Sequence, residues 1–372
     1  MAKAKRKTLP KDFEDLLAKG DIEALKAVFD NCDVDARGGT FKQTALAFND
    51  CPDELVRWLV ERGADLSAGD SYGDTPLHSR AGHWKGRIEL LIELGADVRH
   101  DAGGRGTPLH RAVITGNLRT AQILLGHGAR AGAVNRNGQT PLVAALQRCG
   151  NATIERIAPI AELLLAALVD QSEKPKSFVS RLFGASVERV SPVTPEMQAL
   201  VQRIGTDFEF HRAGFAPDKV DAASEALHKL YALFDVPPVP HRTVHDGKSP
   251  ITANAVRWEE RYQELWKLLV PSSGAAATAQ GEVIRISGRI SDELERNGGA
   301  NWDGDYKKMA DAFLQHVGSA RPLPAPELDE ARHLISAVKN QRVDPTPMCK
   351  LAVDWVALNP EPIKLPAPAY KR

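Results

Sequence analysis

Thr75-Pro76-Leu77-His78 returns as Thr107-Pro108-Leu109-His110 and again as Thr140-Pro141-Leu142-Val143, with a weaker echo in Thr44-Ala45-Leu46-Ala47. Apolar residues at helical spacing follow each copy. A small-residue stop then closes the unit, as in Gly63-Ala64-Asp65, Gly95-Ala96-Asp97 and Gly128-Ala129-Arg130. A fixed period of this kind prescribes a solenoid before any single residue is interpreted. Stacked units build one extended surface, a geometry suited to binding and seldom to chemistry.

The tetrapeptide has a physical task. Thr75 stands where a helix begins, and its hydroxyl can accept a bond from an orphan backbone amide. Pro76 fits the first helical position, where its missing amide is not needed. Leu77 faces inward, and His78 ties the turn to its neighbour through a ring nitrogen. The pattern resembles ankyrin repeats, each a β-turn and two antiparallel helices. The copy from Thr107 to Arg130 matches best, with Ala112, Gly116, Leu118, Leu124, Leu125, Gly128 and Ala129 at family positions. The copy at Thr75 is one residue shorter before Gly95. At Thr44 the Pro and His are both Ala, and Cys51-Pro52 interrupts the inter-helix turn. The copy at Thr140 carries an insertion after Leu146. Upstream, Phe13–Leu17 and Asp21–Leu25 read as a helix pair around Gly20, suited to an N-terminal capping unit.

The resemblance implies a concave binding face made of turn tips and the exposed side of the first helices. The tips hold Phe41 and Lys42, Ser71 and Tyr72, Arg105, then Asn135, Arg136 and Asn137. The first helices hold Arg80, Trp84, Arg111 and Ile114. Aromatic residues and Arg dominate interface energetics, so Phe41, Tyr72, Arg80, Trp84, Arg105, Arg111 and Arg136 form the expected partner-binding set.

The predicted fold class is all-α, an ankyrin-repeat solenoid followed by an α-helical C-terminal domain. The expected divisions are a basic disordered tail over residues 1–10, about five repeat units over 11–170, a linker over 171–193, a helical domain over 194–358 and a Pro-rich tail over 359–372. Thr194 can cap the first helix after the linker. Val283, Ile286, Ile290 and Leu294 step by three and four, which predicts a helix, with a strand over Val283–Ile286 left open. Asp303 can cap the helix that follows Asn297-Gly298-Gly299. Residues 264–271 and 280–306 are similar to a segment of uncharacterised bacterial proteins, a resemblance that brings no activity with it.

Composition excludes several classes. The 372 residues carry 48 basic and 48 acidic side chains, so no net positive charge marks a nucleic-acid or membrane-surface protein. No apolar h-region follows the basic N-terminus, and the most apolar stretch, Pro159 to Val169, is too short to span a bilayer. Cys32, Cys51, Cys149 and Cys349 lie far apart without zinc or redox spacing, which fits isolated thiols in a reducing cytoplasm.

Candidate chemistry is sparse. Asn301, Asp303 and Asp305 alternate like a calcium loop, but Tyr306 and Ala312 stand where Gly and Glu are required. Gly247-Lys248-Ser249 lacks the first Gly of a phosphate loop. Arg285 and Arg289 can grip an anion, although Glu282 and Asp292 favour internal salt bridges. His241 and His245 with Asp246 are a candidate metal set, and the His-Asp pair also resembles metal-dependent phosphohydrolases of the HD family, with His211, His228 and Asp303 as further nominees. The Pro-rich setting departs from that family's helical context. The expected function is non-catalytic protein recognition with another protein as partner and no cofactor, nucleic acid or membrane. Its narrowest form is a bacterial cytosolic inhibitor or immunity protein that binds a toxin. The rival readings are a metal-dependent enzyme targeted by the repeats, and a passive scaffold joining two proteins.

Overall fold

The computed structural model describes residues 4–173, 191–341 and 343–371, so most of the expected linker lies outside the described residues. Contacts divide the chain into two compact units, Met1–Phe208 with Ala216–Val239, and Glu209–Phe215 with Pro240–Arg372.

The first unit opens with a short strand, β1 (Arg6–Thr8), then α1 (Phe13–Lys19) and α2 (Ile22–Asn31). Within the basic segment expected as a disordered tail, Arg6–Thr8 therefore forms a strand. It pairs in parallel with β2 (Cys32–Gly38), and Lys5 Nζ donates to the carbonyl of Phe29 at 2.7 Å. β2 turns back into β3 (Gln43–Thr44) in antiparallel register, giving a small three-stranded sheet in an otherwise helical chain.

The repeat chemistry then explains the helices. After α3 (Asp53–Glu61), the tetrapeptides start α4 (Pro76–Ala81), α6 (Pro108–Thr115) and α8 (Pro141–Arg148), each with Pro in the first turn. Thr75 accepts from the amide of His78, and Thr140 from that of Val143 at 3.3 Å. Thr107 and His110 cap reciprocally. Where Pro and His are missing, the first helix shrinks to one 3-10 turn, Ala45–Ala47, without a side-chain cap. The returning helices are α5 (Glu89–Glu93), α7 (Leu118–Gly126) and α9 (Ile154–Glu173).

The histidines stitch successive units. His78 Nε2 donates to the carbonyl of Gly106 at 3.1 Å, and His110 Nε2 to that of Gln139 at 3.1 Å. Between α4 and α5 the shortened unit closes with Gly86 at φ +56°, where a Cβ would fall 2.0 Å from Thr120 Oγ1 and 2.7 Å from Asn117 Nδ2. Asn117 Nδ2 in turn holds the loop through the carbonyls of His83 and Trp84 at 3.3 and 3.0 Å. Gly86→Ala is expected to cost about 2–3 kcal/mol, from left-handed backbone strain plus overpacking. Urea unfolding measures it, and an unchanged midpoint would contradict the close approach.

Two further helices complete this unit, α10 (Pro195–His211, as far as Phe208) and α11 (Pro217–Phe234). Thr194 caps α10 as expected, accepting from the amide of Met197 at 3.3 Å. Arg203 Nη2 donates to the carbonyls of Leu146, Gln147 and Cys149, satisfying the open C-terminus of α8. α11 packs on α9.

The second unit contains α12 (Trp258–Leu269), α13 (Ala279–Ser291), α14 (Gly304–Val317), α15 (Ala325–Val338) and α16 (Thr346–Leu358). α13 is buried nearly all round, with Val283, Ile284, Ile286 and Ile290 fully enclosed, as befits the central helix of a core. That settles the open strand reading over Val283–Ile286 in favour of a helix. Asp303 caps α14, accepting from the amides of Asp305 and Tyr306. The Pro-rich tail docks against α13. Gln280 Nε2 donates to the carbonyls of Asn359 and Glu361, its Oε1 accepts from the amide of Ile363, and Tyr370 Oη donates to Glu282 at 2.5 Å. Among the described residues, no helix is long and apolar enough to cross a membrane.

Candidate functional site

The turn tips are staged by side chains that cap their own backbone. Asp70 Oδ1 accepts from the amides of Tyr72 and Asp74 at 2.7 and 3.0 Å. Asp101 Oδ1 accepts from Gly106 and Asn135 Oδ1 from Asn137 and Gln139, so each hairpin is fixed locally. Backbone bonds then link neighbouring tips, Ser71 N to the carbonyl of Phe41 at 2.9 Å and Arg136 N to that of Gly104 at 2.7 Å. The result is a line of side chains. Phe41 and Tyr72 have ring centroids 5.9 Å apart, and the Arg105 guanidinium lies 4.8 Å above the Tyr72 ring. Phe41 is 49% exposed and Tyr72 55%, a large apolar investment left in solvent.

Below this rim lies a groove of about 990 Å³, floored by α1, the 3-10 turn, α4 and α6. The single turn at Ala45–Ala47 occupies the place where neighbouring units have a longer helix. Arg111 reaches into the groove and grips Asp74 through Nη2, at 2.7 Å to each carboxylate oxygen. Asn49 and Asp50 line the groove between the 3-10 turn and Cys51-Pro52, and Glu14 approaches from α1.

The expected partner-binding residues do not all stand together. Phe41, Tyr72, Arg105 and Arg111 line the groove, and exposed Arg136 sits on the tip beyond Gly104. Arg80 is only 1% exposed and faces inward. Its Nε donates to the carbonyl of Leu46 at 2.8 Å and its Nη1 to that of Arg87 at 3.2 Å, so it braces the shortened unit and offers a partner nothing. Trp84 is 71% exposed in the loop after α4 and lies outside the groove lining.

The candidate metal residues are committed elsewhere. His241 Nδ1 meets Glu209 at 3.0 Å. His245 Nδ1 accepts from the amide of Gly247 at 3.0 Å, which leaves Nε2 to donate to the carbonyl of Ser249 at 2.8 Å. Asp246 accepts from the amides of Lys248 and Ser249 and from the Ser249 hydroxyl, and these bonds hold its carboxyl well below the usual range. The whole stretch caps the C-terminus of α12. Arg242 donates to the carbonyls of Trp266, Lys267 and Val270, and His245 N to that of Leu268. Among the described residues no three His, Cys, Asp or Glu side chains converge as a metal site, with His211, His228 and Asp303 included.

A family model described as Ankyrin repeats (3 copies) matches residues 81–172. Those residues are ankyrin repeats. Ankyrin repeat and SOCS box protein 16 of Mus musculus is 33% identical over 132 residues, 33% of this chain and 28% of that protein. A putative E3 ubiquitin-protein ligase, XBAT35 of Arabidopsis thaliana, is 40% identical over 93 residues, 24% and 20% of the two chains. The phosphocholine transferase AnkX of Legionella pneumophila is 30% identical over 109 residues, 28% and 12%. The chain thus spans less than a third of each of these relatives, and their names share no single activity. Ankyrin repeats mark this chain for protein–protein interaction.

Asn49, Asp50 and Glu14 were not among the residues expected at the groove. A positional signal existed for Asn49 and Asp50, which stand just past Phe48 after the copy that had lost Pro and His, and none for Glu14.

Proposed function

We propose that the chain is a non-catalytic recognition protein whose protein partner seats in the ankyrin groove under Phe41, Tyr72 and Arg105. The observation that carries this reading is the Phe41–Tyr72–Arg105 line, with both aromatic rings exposed, bordering a groove of about 990 Å³. Such aromatic and guanidinium anchors supply most of the energy of protein interfaces. The equal counts of basic and acidic residues support a protein target over a nucleic acid. Four buried thiols without disulfides support work in a reducing compartment such as the cytoplasm. Neither the groove nor any named relative points to a toxin, so an inhibitor or immunity role has no specific support.

Partner capture from native lysate tests the reading. Alanine at Tyr72 and Arg105 is expected to weaken the captured complex at least about tenfold each, by calorimetry on the purified pair. Unchanged affinity in both variants would sink the proposed face. A stoichiometric transition metal in the purified protein, lost on His245→Ala, would instead support the enzyme reading.

A further inference from the structure

We propose that the groove takes a protein segment carrying a Lys or Arg flanked by apolar side chains. This rests on the groove being the partner site. The first observation is charge. The lining holds four carboxylates, on Glu14, Asp50, Asp70 and Asp74, against the two guanidiniums of Arg105 and Arg111. Arg111 and Asp74 neutralise each other at 2.7 Å, and Arg105 is drawn onto the Tyr72 ring. Asp50 meets Lys85 at 3.3 Å, but both side chains are largely exposed and the pair is weak. The histidines of the lining do not restore balance, because burial lowers the pKa of His78 and His83 and keeps them neutral. A concave surface concentrates the remaining negative field, which repels phosphates and attracts an ammonium or guanidinium.

The second observation is an unmet donor. Asn49 is 9% exposed and lines the groove. Its Oδ1 accepts from the amide of Arg87 at 3.3 Å, and its Nδ2 has no partner. Buried donors are seldom left unpaired. Nδ2 is itself enclosed, so in the bound state the amide turns toward the groove to meet a backbone carbonyl of the docked segment. Leu17, Phe48 and Ile114 line the same groove and take the aliphatic stem and the flanking apolar residues. The recognised chemistry is therefore a cation on an apolar stem, presented by a peptide backbone.

A phage-displayed library of random peptides, selected on the full chain, tests this. Selected peptides are expected to carry Lys or Arg beside Phe, Leu or Ile. Their affinity, read by fluorescence anisotropy of labelled synthetic copies, is expected to fall about tenfold or more in Glu14→Lys/Asp50→Lys and to decline with added salt. Both positions are exposed, and the milder Glu14→Gln/Asp50→Asn should move affinity in the same direction. Circular dichroism verifies that the variants fold. Selection of acidic or uncharged peptides that Tyr72→Ala still releases would overturn the cation proposal and leave the groove as the partner site. Peptides indifferent to both charge reversal and Tyr72→Ala would overturn the groove itself. A library that yields no binder also overturns the proposal, since a groove built for such a segment must select one.

Discussion

Arg285→Met is expected to destabilise the second unit by about 3–5 kcal/mol, the cost of leaving a buried charge without its partner. Arg285 and Glu282 sit one turn apart on α13 with side chains 1% and 0% exposed. Arg285 Nε donates to Glu282 Oε2 at 2.9 Å and Nη2 to Oε1 at 2.6 Å. The carboxylate also accepts from the amide of Ala276 at 2.9 Å and from Tyr370 Oη. Burial alone would raise the pKa of Glu282, but Arg285, the Ala276 amide and Tyr370 outweigh it and hold the carboxyl below its ordinary value. Burial and the facing carboxylate push Tyr370 up, so its hydroxyl stays protonated and donates. Methionine keeps the volume of the arginine stem while stranding the anion. The double change Glu282→Leu/Arg285→Met should recover much of the loss, because two apolar groups replace an intact pair. Tyr370→Phe removes one bond to a charged acceptor and should cost about 1.5–3 kcal/mol. Urea unfolding gives the magnitudes, and hydrogen exchange over Ala279–Ser291 locates them. A loss below about 1 kcal/mol for Arg285→Met would mean that the anion finds another partner or a proton.

That cluster also shows where sequence reading reaches its limit. Glu282 beside Arg285 at helical spacing was readable, because it is local. Its third member, Tyr370, lies 88 residues away in a stretch that reads only as Pro-rich. The repeat half divides in the same way. Capping by Thr75, Thr107 and Thr140 depends on residues three apart, so the tetrapeptide discloses it directly. Whether Arg80 points out or in depends on the neighbouring unit. The bonds to the carbonyls of Leu46 and Arg87 that hold it inside are tertiary facts. His241 and His245 share the spacing of a helical metal pair, but a loop capping the end of α12 uses them differently. α10 and α11 were readable as amphipathic helices. An amphipathic face does not name what it packs against, and these two join the first unit. The groove borders the copy in which Pro and His are both Ala; that departure is legible in the sequence, but the cavity beside it depends on α1, α4 and α6 from other units.

The repeats themselves should lose stability in mild acid. His78 is fully buried, and burial lowers its pKa from 6.5 to about 4; His100, with its ring centroid 5.8 Å away, and Arg111 push the same way, while Asp74 and the Gly106 carbonyl oppose. The neutral ring meets both of its neighbours without placing a charge in the core, with Nε2 donating to the Gly106 carbonyl and Nδ1 facing the Thr75 hydroxyl at 2.8 Å. His110 is shifted in the same direction by burial, and its Nδ1 accepts from the amide of Thr107 at 3.0 Å, so a second proton there would set donor against donor. A fold that favours the neutral ring has its full stability above pH 6.5 and loses it as the pH falls toward 4. For His78 alone the loss is roughly 3 kcal/mol across that window. Unfolding midpoints between pH 7 and pH 4 are expected to fall steeply in the native chain. The fall should be shallower in His78→Gln/His110→Gln, which starts from lower stability at neutral pH because the links to Gly106 and Gln139 are weakened. Parallel pH profiles in the two proteins would show that ring protonation is not what acid exploits, and would assign the loss to the carboxylates instead.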